Sequence, residues 1–279
     1  MRQLYPITRR EFAGDLLAAG IQEGDLLVVH SAMSKVGWFY GGPTDAIRAI
    51  FDVIGPTGTL LLPTFTFSLS GWNAAPFDPK VTPSAVGVLT DSFWRMAGVR
   101  RSIHPTHSMA AMGPLAEELV GGPITYEPLG LGSPLDRARR AGAKILLLGV
   151  TQIRNSSIHV AESLAGVAYF DVHFSEDAEF DQAHYRDPED GRVRELLIRE
   201  MPGSSEGFDV LEAPLREAGI VRAVNVGRAV SRLMPAAPLC EFIRRQLIED
   251  PTLLLQSPTP TPITLRRLEF MENLGLRKR

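Results

Sequence analysis

Residues 25–67 read DLLVVHSAMSKVGWFYGGPTDAIRAIFDVIGPTGTLLLPTFTF, and the order of elements within them decides the fold class. Asp25–Ser31 is a short, continuous apolar run rich in branched side chains, as expected of a central strand covered on both faces. Its far end delivers His30 and Ser31 to a turn. The segment from Pro43 places apolar residues at 46, 47, 50, 51 and 54 and stops at Gly55, so it predicts a helix starting directly behind the Gly41–Gly42 pair. Gly58–Phe67 is then a second buried strand that ends in small hydroxyl residues. Strand, turn, helix and strand in this order imply a right-handed crossover and a parallel sheet.

Upstream, Thr8-Arg-Arg-Glu11 is a capping-box pattern followed by Phe12, Leu16 and Leu17 at helical spacing, with Gly20 as the stop, which predicts a helix over 9–19. Downstream, 68–83 holds Gly71, Trp72, Asn73, Pro76, Pro79 and Pro83 without a period, and a loop of that length reads as a lid or binding loop. Helices are expected over Val86–Ala97, Pro114–Gly122 and Leu135–Ala141, a short strand at Met109–Met112, and a third strongly apolar strand at Ala143–Val150 that points at Asn155. From 171 to 200 the text turns charged and alternating, which predicts exposed antiparallel strands around the DPEDG turn. A helix over 207–218, a strand at Val221–Val226, and helices at Arg228–Met234 and Leu239–Ile248 complete residues 1–250, read as one domain. Residues 251–279 read as a proline-containing linker, Pro251–Pro262, that keeps a basic tail from packing tightly.

Composition narrows the function. The 279 residues carry 29 Lys plus Arg against 32 Asp plus Glu, with 44% hydrophobic and 22% charged residues, enough to bury a core and too close to neutral for a nucleic-acid field. The last sixteen residues are the exception at net +3, from Arg266, Arg267, Arg277, Lys278 and Arg279 against Glu269 and Glu272; they read as a solvated terminal helix. The remainder is at −6, which suits a cationic small molecule better than DNA. Cys240 is the single cysteine, so no internal disulfide or Cys-rich zinc site can form, and its setting predicts a small buried hydrophobe. Asp15 interrupts the only candidate for a signal sequence, and no apolar stretch approaches membrane-spanning length, so a cytoplasmic, membrane-free location is expected.

Three segments place catalytic-type residues where buried strands end: 30–42, 100–113 and 146–162. The first supplies hydroxyls, Lys35 and three glycines just before a helix N-terminus, which suits a phosphate, or a plain glycine turn, and fits no P-loop or GxGxxG spacing. In NSSIHVAE, Asn155 or Ser156 can cap a helix that puts His159 and Glu162 on one face. A carboxylate beside an imidazole fixes its tautomer and raises its basicity, which makes a general base and its orienter; the alternative is a surface pair worth a few tenths of a kcal/mol. His104 and His107 share a loop with few carboxylates nearby, so a hydrogen-bonding role is expected there and no metal.

Taken together, HSAMSKVGWFYGGP (30–43), RRSIHPTHSMAAMGPLAEEL (100–119), GSPLDRARRAGAKILLLGV (132–150), NSSIHVAE (155–162) and PGSSEGFDVLE (202–212) resemble the ordered blocks of the aminoglycoside 3-N-acetyltransferase family, over roughly residues 10–235. The resemblance implies an α/β fold: a three-layer α/β/α sandwich around a mixed, largely parallel sheet, with the antiparallel excursion near 171–200. It implies a CoA-dependent N-acyltransferase that uses acetyl-CoA and no metal, acts on a small-molecule amine, and has no nucleic-acid or membrane partner; a homodimer is left open. His159 then removes a proton from the attacking amine and Glu162 holds and polarises it. Ser31, Ser34, Lys35, Val36, Gly37, Gly41 and Gly42 would line the pantetheine and diphosphate, with Thr64 and Ser108 near the thioester. Acidic candidates for the remaining ammonium groups are Glu162, Asp171 and the Glu176–Asp177 pair.

One departure bears on substrate. Where resistance enzymes of this family commonly continue the strand with Gly-His, this chain has Thr151, Gln152, Ile153 and Arg154, and an arginine beside the cleft repels a polycation. A biosynthetic acyltransferase acting on another amine therefore stays in view. So do a serine hydrolase and a non-catalytic CoA or amine binder.

Overall fold

Alternation along the central strands sets the architecture. Leu26 and Val28 bury into one apolar cluster while Leu27 and Val29 bury into a second, and Leu61 separates in the same way from Leu60 and Leu62. A strand covered on both faces needs a helical layer on each side. The computed structural model describes residues 5–66, 75–125, 127–172, 181–198 and 205–276.

In chain order the elements are α1 (Arg9–Ala18), β1 (Leu26–Ser31), α2 (Met33–Val36), α3 (Gly42–Ile54), β2 (Thr59–Pro63), α4 (Val88–Phe93), β3 (Arg100–Arg101) and β4 (Met109–Met112). There follow α5 (Ala116–Val120), α6 (Pro134–Arg140), β5 (Lys144–Leu148), α7 (Ile158–Ala165), β6 (Asp181–Arg186) and β7 (Val193–Ile198). Last come α8 (Glu212–Glu217), β8 (Arg222–Val226), β9 (Ala229–Pro235), α9 (Ala236–Glu249) and α10 (Pro262–Asn273).

Seven strands form one sheet in the order β3-β4-β2-β1-β5-β9-β8. The pairs β1–β2 and β1–β5 are parallel, and the flanking pairs are antiparallel on both sides, so the sheet is mixed and its parallel part is confined to the centre. Helices α1, α3 and α4 cover one face; α5, α6, α7 and α9 cover the other. The expected capping box at Thr8 forms in full, with the Thr8 hydroxyl accepting from Glu11 N–H and the Glu11 carboxylate accepting from Thr8 N–H at 2.8 Å. Strands β6 and β7 make the antiparallel excursion as a separate two-stranded sheet. Phe77 bridges to Tyr185 and ties the end of the long loop to this excursion; residues 67–74 of that loop lie outside the described residues.

Two expectations are corrected. Arg228–Met234 is a strand and not a helix: Gly227, at φ +59°, and Arg228 close a two-residue turn that pairs Val226 with Ala229. Ala229, Ser231 and Leu233 are then buried while Val230 is exposed, a period of two. The tail is also not held loosely. Leu254, Leu255, Ile263 and Met271 are buried, and the Thr261 hydroxyl caps α10 by accepting from Thr264 N–H. The Glu206 carboxylate secures that corner by accepting from Thr261 N–H at 2.9 Å and from the Thr264 hydroxyl at 2.6 Å. Cys240 is buried as expected, and burial pushes its thiol up to about 12. Among the described residues no helix is long and apolar enough to cross a membrane.

Candidate active site

The parallel strands β1 and β5 pair through His30–Leu147 and Ser31–Leu148, so the chain leaves both at the same edge of the sheet. Ligands in open α/β sheets bind at the carboxyl ends of such strands. There a cavity of about 710 Å³ is walled by His30 and Ser31 from β1, by Pro63 and Phe65 from the end of β2, and by Val150, Arg154 and Ser156 beyond β5. Gly149 makes the exit from β5 possible. Its φ is +70°, and a Cβ there would stand 3.2 Å from the Cβ atoms of Ala229 and Lys35.

After Gly149 a 3-10 turn, Gln152–Arg154, leads into α7. Neither expected capping side chain bonds to α7 itself; Asn155 Oδ1 instead accepts from Ser157 N–H at 3.3 Å just before it. The helix stops at Gly166 in the left-handed conformation, φ +63°. Between these limits His159 and Glu162 fall one turn apart, and His159 Nδ1 lies 2.6 Å from Glu162 Oε2. They are no surface pair: the residues are 6% and 2% exposed. His159 lines the cavity with its ring edge-on to Phe208 at 5.1 Å, and its Nδ1 contact leaves Nε2 as the nitrogen for a ligand.

The other carboxylate oxygen, Glu162 Oε1, accepts from the Tyr169 hydroxyl. Burial, and then the charge of Glu162, hold the Tyr169 phenol well above its ordinary pKa, so it remains a donor. The Arg267 guanidinium of α10 sits over the Tyr169 ring at 5.1 Å. Tyr169 carries no sequence signal of its own, because it lies beyond the Gly166 stop and out of phase with the α7 face.

The expected donor-loop residues separate. Ser31 lines the cavity. Ser34 and Lys35 are exposed on α2, and Val36 is buried in the core. Gly37, at φ +119°, ends α2; Gly41 is the N-cap of α3 and Gly42 its first residue at φ +68°. Thr64 and Ser108 are fully buried behind the cavity wall. Their hydroxyls lie 2.9 Å apart, and each accepts from Arg101 Nε at 3.1 Å. Asp171 is exposed in a 3-10 turn, and the Glu176–Asp177 pair lies outside the described residues. Among the described residues lining the cavity there is no carboxylate, and Arg154 supplies a fixed positive charge.

Three more imidazoles gather at this end of the sheet. His104 Nδ1 accepts from the backbone N–H of His107 at 3.0 Å, the hydrogen-bonding role the loop suggested. His107 lines the cavity with Nδ1 2.8 Å from the Thr106 hydroxyl. Burial pushes His30 down to about 4 and His104 to about 3, and lowers His107 well below its ordinary value. Among the described residues no group of three or more His, Cys, Asp or Glu side chains is arranged to hold a metal.

The chain and its fold resemble known proteins. The family model described as aminoglycoside 3-N-acetyltransferase matches residues 28–248. The chain is 32% identical over 256 residues to the aminoglycoside N(3)-acetyltransferase IV of a Salmonella species, covering 91% of this chain and 92% of that protein. It superposes with a TM-score of 0.78 and 31% identity on a histidine-to-alanine mutant of aminoglycoside acetyltransferase AAC(3)-IVa in complex with a gentamicin, covering 92% and 95% of the two chains. A binary complex of AAC-IIIb with CoASH superposes at a TM-score of 0.76 and 27% identity, covering 92% and 100%. A buried His–Glu pair at the strand ends, together with these matches over nearly the whole chain, means that the protein belongs to the aminoglycoside 3-N-acetyltransferase family of acyltransferases.

Proposed function

We propose that this chain transfers the acetyl group of acetyl-CoA to an amine of an aminoglycoside-like acceptor, with His159 as general base and Glu162 as the carboxylate that orients it. The observation that carries this reading is the His159–Glu162 pair, buried at 2.6 Å with the imidazole on the wall of a 710 Å³ cavity. Small-molecule sites commonly span ~300–1,000 Å³, so the cavity has room for a thioester arm and part of an acceptor.

Acetyl-CoA supplies the activated acyl group. The acceptor reaches solvent as an ammonium, with an ordinary pKa near ~10.4, and must lose a proton before or during attack. His159 Nε2 takes that proton while Glu162, held by Nδ1 on one oxygen and by Tyr169 on the other, stabilises the imidazolium. The proton then passes to the departing thiolate, and the second proton that the nitrogen sheds on becoming a neutral amide goes to solvent. Ser31 faces the acyl end of the donor, while Ser34, Lys35, Gly37, Gly41 and Gly42 form the outer wall for pantetheine and diphosphate, anchored by buried Val36. Thr64 and Ser108 support the thioester end from behind, through the Pro63–Phe65 wall that they brace.

The gentamicin and CoASH complexes of the relatives support this choice of ligands. Arg154 on the cavity wall favours a second reading for the acceptor alone, an amine with fewer positive charges. Both are tested by measuring thiol release from acetyl-CoA with gentamicin, apramycin and a panel of monoamines, with mass spectrometry of the products. Acetylated product from gentamicin or apramycin supports the first reading, and turnover confined to monoamines supports the second. No thiol release with any amine overturns acyl transfer.

A further inference from the structure

We propose that His30 donates a hydrogen bond from Nδ1–H to the acyl oxygen of the bound thioester. The inference rests on the acyl-transfer reading above and assigns to this chain the donor that the reading requires.

His30, the penultimate residue of β1, stands on the wall of the same cavity as His159 and is 4% exposed. Its Nε2 is enclosed and has no hydrogen-bond partner. A neutral imidazole carries one N–H and one lone pair, and an orphaned buried N–H is rarer in proteins than an unsatisfied acceptor. The proton therefore sits on Nδ1, and the enclosed Nε2 carries the lone pair. Nδ1–H is then the group left to meet whatever fills the cavity.

The surroundings give His30 a different role from its neighbours. His159 has a carboxylate partner that favours a positive ring, so it can accept a proton. His107 has committed Nδ1 to the Thr106 hydroxyl. His30 lies among apolar β1 and β5 neighbours, and its burial keeps the ring neutral at physiological pH, with a pKa of about 4. A ring that neither takes a proton nor carries a charge, yet presents an N–H, suits an oxygen that becomes negative only during reaction.

The balance of the step shows where such a donor acts. The amine nitrogen forms a bond to the acyl carbon, the carbon–sulfur bond breaks, the amine proton moves to His159 Nε2, and the thiolate leaves and regains a proton. The acyl oxygen gains negative charge while the nitrogen–carbon bond forms, and a donor preset at that oxygen lowers the barrier.

Two measurements test this. The first compares kcat of wild type, His30→Leu and His30→Asn; the asparagine amide N–H reaches the position of Nδ1–H, whereas leucine keeps only the volume. The leucine variant is expected to lose ~100-fold in kcat or more, with KM for acetyl-CoA and amine within about threefold, and the asparagine variant to recover at least about tenfold of that loss. A leucine variant that retains its melting temperature and more than a third of the wild-type kcat overturns the proposal.

The second uses the unaltered protein and covers a leucine variant that does not fold. In histidine-15N-labelled wild type, His30 is expected as the Nδ1–H tautomer, with its proton signal moving downfield on addition of acetonyl-CoA, a ketone that cannot transfer its acyl group. An Nε2–H tautomer, or an unmoved signal with the analogue bound, overturns the His30 role alone. An analogue that does not bind overturns the acyl-transfer reading together with it.

Discussion

The Tyr169 hydroxyl donates to Glu162 Oε1 and leaves Oε2 to His159 at 2.6 Å, so the carboxylate that aims the imidazole is itself held at both oxygens. Tyr169 in turn packs beneath Arg267 of the C-terminal helix. The C-terminal helix α10 thus reaches the dyad through one ring.

Removing the hydroxyl tests this support. Tyr169→Phe leaves a buried carboxylate oxygen without its donor, and the expected cost is ~1–3 kcal/mol of stability, read from urea unfolding. The loosened carboxylate is expected to lower kcat about tenfold with the KM for acetyl-CoA little changed. A variant with wild-type kcat contradicts a positioning role for Tyr169.

Buried neutral histidines set an acid limit to stability. His30 and His104 have folded-state values of about 4 and about 3, below the ordinary 6.5 of an unfolded chain. Between these values the unfolded state binds more protons, so stability falls as pH drops from about 6.5 and levels off only below the folded values. At pH 5 each histidine is expected to have removed ~2 kcal/mol. Urea midpoints measured from pH 7 to pH 5 should fall accordingly, and His104→Asn, which keeps an acceptor near Nδ1, should flatten the slope. An unchanged slope in that variant contradicts the assignment.

Arg154 is expected to weaken polycation binding. In Arg154→Glu the KM for gentamicin should drop about three- to tenfold at low ionic strength, and the gain should shrink as salt rises. A KM that is unchanged, or that rises, removes Arg154 from acceptor selection. A changed KM for acetyl-CoA alone places the guanidinium on the donor side.

What the sequence revealed follows the range of the interactions involved. The Thr8 capping box, the apolar strands β1, β2 and β5 and the His159–Glu162 pair depend on spacings of one turn or on local runs, and each formed where the residues placed it. The strand Ala229–Pro235 was hidden because Val230, Leu233 and Met234 fall at helical spacing, and only the turn at Gly227 shows the period to be two. The tail reads as solvated from its charges, yet Ile263 and Met271 bury between them and Arg267 finds an aromatic ring. Tyr169 as a partner of Glu162, Arg101 as the link between Thr64 and Ser108, and the orphaned Nε2 of His30 are products of tertiary packing and leave no local trace.

The most direct test of the account is the turnover of His159→Ala and Glu162→Gln with acetyl-CoA and an accepted amine from pH 6 to pH 10. At neutral pH the alanine variant is expected to lose ~10²–10⁴-fold in kcat/KM, the glutamine variant less. The deficit should narrow as the pH approaches the amine's own pKa, near ~10.4, because solvent then removes the proton. Undiminished turnover of His159→Ala at neutral pH, with acetyl-CoA still bound, would contradict the assignment of His159 as the base.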